Sequence, residues 1–288
     1  MDQRTELSEF LRSRRARLQP QEVGLIYYGG RRRVPGLRRE ELAQLAGVSV
    51  AYYTRLEQGH AENVSSTVLE AIAAALRLSP AEREHLSRLV RPVHRRSRAA
   101  VRPQRVRPEL QQLLDVMHSV PACVLGRRMD VLSWNPLYCA LFGDYAALPA
   151  EQRNLAWQIF RDPAARELFV DWQGKATDVV AILRLEAGRD PEDPRLCALV
   201  GELSVQSEDF RRLWATHNVA DKGYGTKNLH HPVVGPLALR YETFALPADP
   251  DQTLLTYHAE PASNSAESLR LLASWWASRE QHEDSTAR

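Results

Sequence analysis

The stretch LRREELAQLAGVSVAYYTRLEQGH, residues 37–60, decides the fold of the first part of the chain. Leu42 and Ala43 lie inside one predicted helix, and Gly47 follows at a turn that needs a residue of positive φ. Ala43 has to be small because two helices cross closely at that point. A second helix begins after the turn, so the spacing is that of a helix-turn-helix.

The second helix, predicted over residues 49–58, carries side chains suited to reading DNA. Its apolar face points inward through Tyr53 and Leu56, so five other positions are exposed. Arg55 suits a bidentate contact with guanine, and Thr54 suits a hydroxyl contact. The apolar residues Val50 and Ala51 fit a thymine methyl, and Tyr52 suits a phosphate as well as a base. The five candidates for contact with base edges are Val50, Ala51, Tyr52, Thr54 and Arg55.

Other polar residues of this region are placed to contact phosphates. Ser49, the predicted N-cap, lies with Arg38 and Gln44 where helix starts approach a duplex, which favours phosphate contact over base reading. A long insert, Gln19–Gly36, precedes them. Its charge run is either a solvated face or a contact with phosphate or the minor groove. The run consists of Arg31, Arg32 and Arg33.

Helical periodicity continues on both sides of this pair. A first amphipathic helix is predicted over residues 5–17, and later helices over 68–76 and from Pro80 to Leu89. Residues 1–90 are therefore predicted to form a mainly α, five-helix DNA-binding domain.

Residues 31–59, RRRVPGLRREELAQLAGVSVAYYTRLEQG, resemble the Xre or lambda-repressor-like class of helix-turn-helix domains. The resemblance implies that the helix over 49–58 is the recognition helix, whose first residues enter the major groove. It also implies that Glu57 pairs with Arg14 or Arg15 of the first helix and does not touch DNA. The residues at the offsets of that class are Ala43, Gly47, Ser49, Leu56, Glu57 and Gly59.

Charge divides the 288 residues into two parts. Residues 1–108 carry 21 Arg against 11 acidic residues, whereas 109–288 carry 17 basic and 25 acidic residues. A basic segment joined to an acidic one suggests a polyanion-binding domain and a second domain with another task. Residues 91–108 contain seven Arg and three Pro, which predicts a basic linker that is either a solvated tether or an arm along DNA.

Composition excludes several classes of protein. No apolar run approaches the roughly 20 residues of a membrane span, and the N-terminus lacks the apolar core of a signal peptide. Three cysteines at long spacings do not make a secreted disulfide framework. A cytoplasmic location is therefore expected, with no membrane partner. Cys123 and Cys139 are either buried and inert or a redox pair, and the first is favoured because nothing recognisable lowers their thiol pKa.

Beyond residue 108 the pattern changes to strands and long helices. Two short strands are predicted within residues 122–135, and alternation predicts further strands within 233–246 and 252–260. Helices are predicted over 164–187, 194–206 and about 266–277. These strands and helices predict an antiparallel sheet covered by helices, so residues 109–277 are predicted to form an α+β domain. Residues 278–288 are predicted to be a disordered tail.

Residues 109–276 look like the ligand-binding domain of MmyB-like regulators, through stretches such as VLGRRMDVLSWN, DPAARELFVDW and GTKNLHHPVVGPLALRYE. The resemblance implies a PAS-like fold and a one-component transcription regulator. It further implies a small apolar ligand, with a fatty acid or acyl compound as precedent, held between sheet and helices. No other cofactor is expected.

Aromatic residues on predicted inner faces are the candidates for the ligand pocket, although an aromatic core has the same signature. His217, His230, His231 and His258 lack the spacing of a metal site, so no metal is expected. No catalytic motif is visible, and the chain is predicted not to be an enzyme. The pocket candidates are Trp134, Phe142, Phe160, Trp214, His217, Tyr241 and Tyr257.

The sequence thus predicts a regulator that binds DNA as a homodimer and whose affinity is set by a small apolar ligand. Two-fold symmetry predicts a pseudo-palindromic double-stranded operator with half-sites about 10 base pairs, or a multiple, apart. Two alternatives stay open. The second domain is a dimerisation or protein-interaction module without a ligand, or it is an enzyme tethered to DNA.

Overall fold

A computed structural model describes residues 2–24, 36–61, 64–91 and 104–286 of the chain, with side chains described as far as residue 279. The chain divides into two compact units. The first unit comprises Met1–Ser97, Arg184–Gly201 and Arg212–Asp221. The second unit comprises Arg98–Leu183, Glu202–Arg211 and Lys222–Arg288.

Among the described residues, five α-helices, as predicted, and a short 3-10 helix (Pro20–Val23) form the N-terminal part of the first unit. Hydroxyl or carboxylate N-caps begin most of them, because these side chains satisfy backbone N–H groups that the first helical turn leaves unpaired. Ser49, Ser65 and Ser79 each accept a hydrogen bond from a backbone N–H in this way. The helices are α1 (Gln3–Arg17), α2 (Arg39–Leu45), α3 (Val50–Glu57), α4 (Ser66–Ala75) and α5 (Pro80–Val90).

The core of this bundle contains the residues that set the helix-turn-helix. Ala43 is fully buried, and Gly47 has a φ of +65°, so the small residue and the turn glycine both occur as predicted. Tyr53 and Leu56 of α3 point into the same core. The fully buried apolar side chains around them include Leu7, Phe10, Leu11, Leu37, Leu42, Ile72 and Leu86.

The rest of the chain alternates helices and strands. The helices are α6 (Pro108–Val116), α7 (Pro136–Phe142), α8 (Leu155–Arg161), α9 (Pro163–Leu168), α10 (Trp172–Arg189), α11 (Pro194–Gln206), α12 (Glu208–Trp214) and α13 (Asn264–Thr286). The strands are β1 (Ala122–Gly126), β2 (Val131–Trp134), β3 (Gly225–His231), β4 (Gly235–Ala245) and β5 (Gln252–Ala259).

These strands form one antiparallel sheet in the second unit, in the order β2-β1-β5-β4-β3. The register places Tyr241 of β4 opposite Tyr257 of β5, and Cys123 of β1 opposite Leu255 of β5. Directly opposed residues of an antiparallel pair share a face, so Tyr241 and Tyr257 lie on the same side of the sheet. The predicted fold class, a mainly α N-terminal bundle followed by an α+β PAS-like domain with an antiparallel sheet, is confirmed.

Several features differ from the predicted elements, and helices α6, α7, α8 and α12 have no counterpart among the predicted helices. The single helix predicted over 164–187 is interrupted between α9 and α10, because Phe169 bridges to Leu229 and the Val170 N–H donates to the Asn228 carbonyl at 3.1 Å. Strand β3 has no counterpart among the predicted strands. Helix α13 continues to Thr286, past the end predicted for the last helix. Over the described residues, the helices are too short or too polar to cross a bilayer.

Candidate functional site

Helix α3 presents one polar and accessible face, as its sequence predicts. Ser49 caps the helix, accepting a hydrogen bond from the Tyr52 N–H at 3.1 Å. Val50 is 47% exposed although it is apolar, and an apolar side chain at the first turn of a helix is suited to a thymine methyl. Arg55, like Ala51, is exposed, and the remaining two candidates, Tyr52 and Thr54, are half-buried.

Glu57 holds this helix against α1 and α2. Its carboxylate accepts hydrogen bonds from Arg15 Nε at 2.7 Å, from Arg15 Nη2 at 3.0 Å and from Arg39 Nε at 2.7 Å. Burial by itself raises the pKa of the Glu57 carboxyl, but the hydrogen bonds from the two arginines outweigh it and lower that pKa. Of the two partners that the family resemblance implied, Arg15 is the one found, and Arg39 joins it.

The residues predicted to contact phosphates are accessible where the structure describes them. Arg38 is exposed at the N-cap of α2, where its N–H donates to Glu41 Oε2 at 2.7 Å, and Gln44 is exposed on the same helix. The N-terminus of a helix favours a phosphate because its backbone N–H groups carry partial positive charge. The three consecutive arginines, Arg31, Arg32 and Arg33, lie outside the described residues.

A buried ion-pair network lies within the first unit, around the Glu6 carboxylate of α1. Arg184 of α10, whose side chain is fully buried, donates to Glu6 through Nη1 and to the Trp214 carbonyl through Nη2. His217 Nδ1 lies 3.3 Å from Glu6 Oε1. Burial by itself raises the pKa of the Glu6 carboxyl, but the His217 hydrogen bond and the Arg184 charge outweigh it and lower the pKa to about 2. Glu6 is therefore ionised at neutral pH.

Arg14 adds further links within the same unit. Its Nη1 donates to Asn218 Oδ1 at 3.2 Å, and its Nη2 donates to the His217 carbonyl. Its Nε lies 3.0 Å from Glu82 Oε1 of α5. Residues 217 and 218 are thus attached to α1 through buried charged groups, which resist separation because an unpaired buried charge is strongly destabilising.

His85 lies beside this network and gives the first unit a pH dependence. The ring is fully buried, packs edge-on against Phe10 with centroids 5.0 Å apart, and places Nε2 4.0 Å from Glu6 Oε1. Burial lowers the pKa of His85 from 6.5 to about 3, with Arg184 and Arg14 also acting against protonation. Folded protein therefore keeps this imidazole neutral at a pH where unfolded chain protonates it.

We expect stability to fall between pH 7 and pH 5 for this reason. Below the unfolded pKa, only the unfolded state takes up the proton, so the free energy of unfolding drops by about 2 kcal/mol by pH 5. Urea unfolding at the two pH values measures the loss, and the variant His85→Phe should show a loss smaller by about that amount. Loss of the Glu6 charge adds little in this window, because that carboxyl has a pKa of about 2. Equal losses in the two proteins would contradict the assignment to His85.

An aromatic cluster lies on the sheet in the second unit. Phe142 of α7 lies 4.8 Å from Tyr138 and 5.0 Å from Tyr257, measured between ring centroids, and stacks on Phe169 at 6.1 Å with an interplanar angle of 17°. Tyr241 joins through Tyr257 at 6.1 Å. We define the aromatic cluster as Trp134, Tyr138, Phe142, Tyr145, Phe169, Tyr241 and Tyr257.

Four of the seven pocket candidates, Trp134, Phe142, Tyr241 and Tyr257, are thus brought together. Phe160 packs in a different group, edge-on to Trp172 and Phe210. Trp214 and His217 belong to the first unit, where Arg184 lies 4.1 Å above the Trp214 ring. These three candidates are therefore not members of the aromatic cluster.

His231 fixes strand β3 to helix α7. Its Nε2 lies 2.9 Å from the Ala140 carbonyl, and its Nδ1 accepts from the Val233 N–H at 3.2 Å. Burial lowers the pKa of this imidazole, which is neutral with its proton on Nε2. His230 is exposed on the opposite face. Within the described ranges, His, Cys, Asp and Glu side chains form no group of three that could hold a metal ion.

Cys123 and Cys139 are buried thiols. Burial raises the pKa of the Cys123 thiol to about 12, so it stays protonated and unreactive at neutral pH. This favours the inert interpretation over a redox pair.

Sequence reasoning missed three charged residues that the structure buries, although two of them leave a signal. Arg184 lies four residues after Val180, on the apolar face of its helix, where a charged side chain is unusual. Lys175 is one of only three lysines among 38 basic residues. Glu6 gives no such signal, because an acidic residue in the first turn of a helix is ordinary.

Comparison with known families supports both parts of this description. The family described as "MmyB-like transcription regulator ligand binding domain" matches residues 106–272, and the family described as "Helix-turn-helix domain" matches residues 6–86. No curated protein matches the chain significantly.

Proposed function

The chain belongs to the family of MmyB-like transcription regulators, and on that premise we propose that a small apolar molecule bound at the aromatic cluster changes its affinity for a DNA operator. The chain is a DNA-binding transcription regulator that carries a ligand-binding domain. One observation carries the proposal. Arg184 and His217, which lie in the stretch matched by the ligand-binding family, form buried contacts with Glu6 of the helix-turn-helix match.

The proposed DNA contacts are those of helix α3 and its surroundings. Arg55 donates to guanine O6 and N7, the exposed Val50 packs on a thymine methyl, and Thr54 contacts a base through its hydroxyl. Arg38, Gln44 and Ser49 bind phosphates and fix the register of the helix in the major groove. Support comes from the exposure of Val50, Ala51 and Arg55 on a helix whose other face is clamped by Glu57.

We further propose that the regulator acts as a homodimer on a pseudo-palindromic operator. A single short recognition helix reads only a few base pairs, so a two-fold dimer with half-sites about 10 base pairs or a multiple apart doubles the specific contact. Such a regulator has to reach chromosomal DNA, which places its action in the cytoplasm.

The proposed ligand site is the aromatic cluster. Its rings come from β2, α7, β4 and β5, from the segment after α7 and from the segment between α9 and α10. Buried and half-buried rings of this kind supply a large apolar contact area, which suits a fatty-acid or acyl-like molecule. Mass spectrometry of material that co-purifies with the protein identifies such a ligand directly.

Helix α10 supports coupling between ligand and DNA. It carries Arg184 in the buried network with α1, and its preceding turns carry Ala176 and Val180, both buried in the second unit. A ligand that favours one arrangement of this helix therefore biases the position of Arg184 against Glu6. If the ligand binds the two arrangements of the helix with different affinities, that difference is sufficient to change the affinity for DNA.

Operator binding by an Arg55→Ala variant tests the DNA part of the proposal. Operator sequences are selected from a random duplex library with the unaltered protein, and affinities are then measured by fluorescence anisotropy. We expect Arg55→Ala to weaken binding by about 10- to 100-fold and to relax the preference at one guanine. Arg12→Ala, which removes an equal charge from the exposed face of α1, is the matched control and should change affinity by no more than about threefold. Unchanged selectivity of the Arg55 variant would contradict the assignment of α3.

The same assay tests regulation. We expect the affinity for the selected operator to shift when a long-chain acyl compound is added. An affinity that is independent of every acyl ligand would favour the alternative in which the second unit is a ligand-free interaction module.

A further inference from the structure

Lys175 of helix α10 is a buried cation in the aromatic cluster. Its side chain is 7% exposed, and its ammonium lies 5.4 Å from the centroid of the Phe169 ring. Throughout the part of the chain that the structure describes, no carboxylate lies within ion-pair distance of this ammonium. The nearby Asp178 is paired with Lys227, whose ammonium is 2.7 Å from Asp178 Oδ2.

A buried ammonium held only by an aromatic ring is an incomplete arrangement. Contact with a ring face offsets part of the lost hydration, but an opposite charge offsets far more. Burial lowers the pKa of Lys175 to about 8, so the side chain is still mostly protonated at neutral pH. An anion brought to this ammonium would restore the missing partner.

The composition of the chain makes a lysine at this point notable. Arginine supplies 35 of the 38 basic residues, and the three lysines, Lys175, Lys222 and Lys227, all belong to the second unit. At position 175, the compact ammonium of lysine needs less space and fewer hydrogen-bond partners than the planar guanidinium of arginine.

The surroundings define the chemistry of a partner for Lys175. Phe169 stacks on Phe142, and Phe142 contacts Tyr257, so the ammonium borders a continuous set of rings, of which Phe169 and Tyr257 are buried and Phe142 is half-buried. A ligand that satisfied both features would carry one anionic group on an otherwise apolar body.

We infer that the ammonium of Lys175 binds the carboxylate of the regulatory ligand, while the apolar remainder of that ligand packs on Phe142, Phe169 and Tyr257. This inference rests on the proposed ligand site and specifies its selectivity. A carboxylate accepts charge-assisted hydrogen bonds from an ammonium, and these are stronger inside a protein than in water. An alcohol or ester of the same chain length is therefore a weaker ligand than the acid.

Calorimetric titration of the full-length protein with dodecanoate, below its micelle concentration, and with dodecan-1-ol tests this selectivity. We expect the unaltered protein to prefer the acid by roughly 10- to 100-fold, the range of one or two charge-assisted hydrogen bonds. Lys175→Met should bind the two probes with equal affinity. Lys222→Met is the matched control, since it removes a lysine from the same unit, and it should keep the preference for the acid.

Thermal unfolding without probe separates binding from folding. Replacement of an unpaired buried cation by methionine should leave the melting temperature of Lys175→Met equal to or above that of the unaltered protein. A melting temperature lowered by several degrees, or an unchanged acid preference in Lys175→Met, would overturn the inference.

The outcomes also distinguish this inference from the proposed function. If the unaltered protein binds acid and alcohol equally well, the apolar ligand site stands and the role of Lys175 is wrong. If it binds neither probe, the apolar ligand site fails, and the carboxylate anchor fails with it.

Discussion

Replacing Arg184 with methionine is expected to lower the free energy of unfolding of the first unit by about 3–5 kcal/mol. The variant leaves the buried Glu6 carboxylate without its guanidinium partner, and it removes the donor to the Trp214 carbonyl. Most of the lost stability comes from the unpaired carboxylate, because burying a charge costs free energy that only a paired guanidinium offsets. Urea unfolding followed by circular dichroism measures the change.

A double variant separates the charge from the loss of packing. Glu6→Gln combined with Arg184→Met removes both charges, so it should be closer in stability to the unaltered protein than Arg184→Met alone. Arg240→Ala breaks the ion pair of Arg240 with Glu260, whose side chains are 59% and 60% exposed, and it should cost no more than about 1 kcal/mol. If Arg184→Met is as mild as Arg240→Ala, the network does not stabilise the unit.

Replacing Gly59 with alanine is expected to destabilise the helix-turn-helix by about 3–5 kcal/mol. Gly59 follows α3 and has a φ of +87°, which is strained for any residue with a Cβ. An added Cβ would also lie 2.6 Å from the Arg4 carbonyl oxygen of α1, and a helix backbone atom does not move aside as a flexible side chain does.

Gly47→Ala is the matched control for this prediction. Gly47 has a φ of +65°, but an added Cβ would meet no described atom within 4 Å. Gly47→Ala therefore introduces only backbone strain, and it should lower the free energy of unfolding by about 1–2 kcal/mol. Thermal or urea unfolding of the two variants gives the comparison. Equal losses would show that the contact with α1 is unimportant.

Much of the first unit could be predicted because its signals are local. The inward positions of Tyr53 and Leu56 follow from helical periodicity, the turn follows from Gly47, and the start of α3 follows from Ser49. The exposed face of α3 is then fixed by geometry, since each residue advances by about 100° around the axis. Strands β4 and β5 were predictable for a similar reason, because alternation of apolar and polar residues predicts a strand, and β1 and β2 were predictable as two short runs in residues 122–135.

The break between α9 and α10 was not predictable, since apolar periodicity runs through it. Phe169 leaves the helix because it bridges to Leu229, and Val170 bonds to Asn228, some 60 residues later in the chain. Strand β3 was missed because its sequence, GTKNLHH, is polar at most positions. Its hydrogen bonds to β4 define it, and a partner strand does not show in a single segment.

The chain's sequence alone determined the local elements of this regulator, the polar face of α3 and the charge difference between the two parts. Only the tertiary structure decided which buried groups meet: Glu6 with Arg184, and the Lys175 ammonium with the Phe169 ring. The physical reason is that periodicity and turn chemistry act over a few residues, whereas a buried ion pair depends on the packing of helices far apart in sequence. A buried charge is therefore recognised as paired or unpaired only once the fold has brought its neighbours around it.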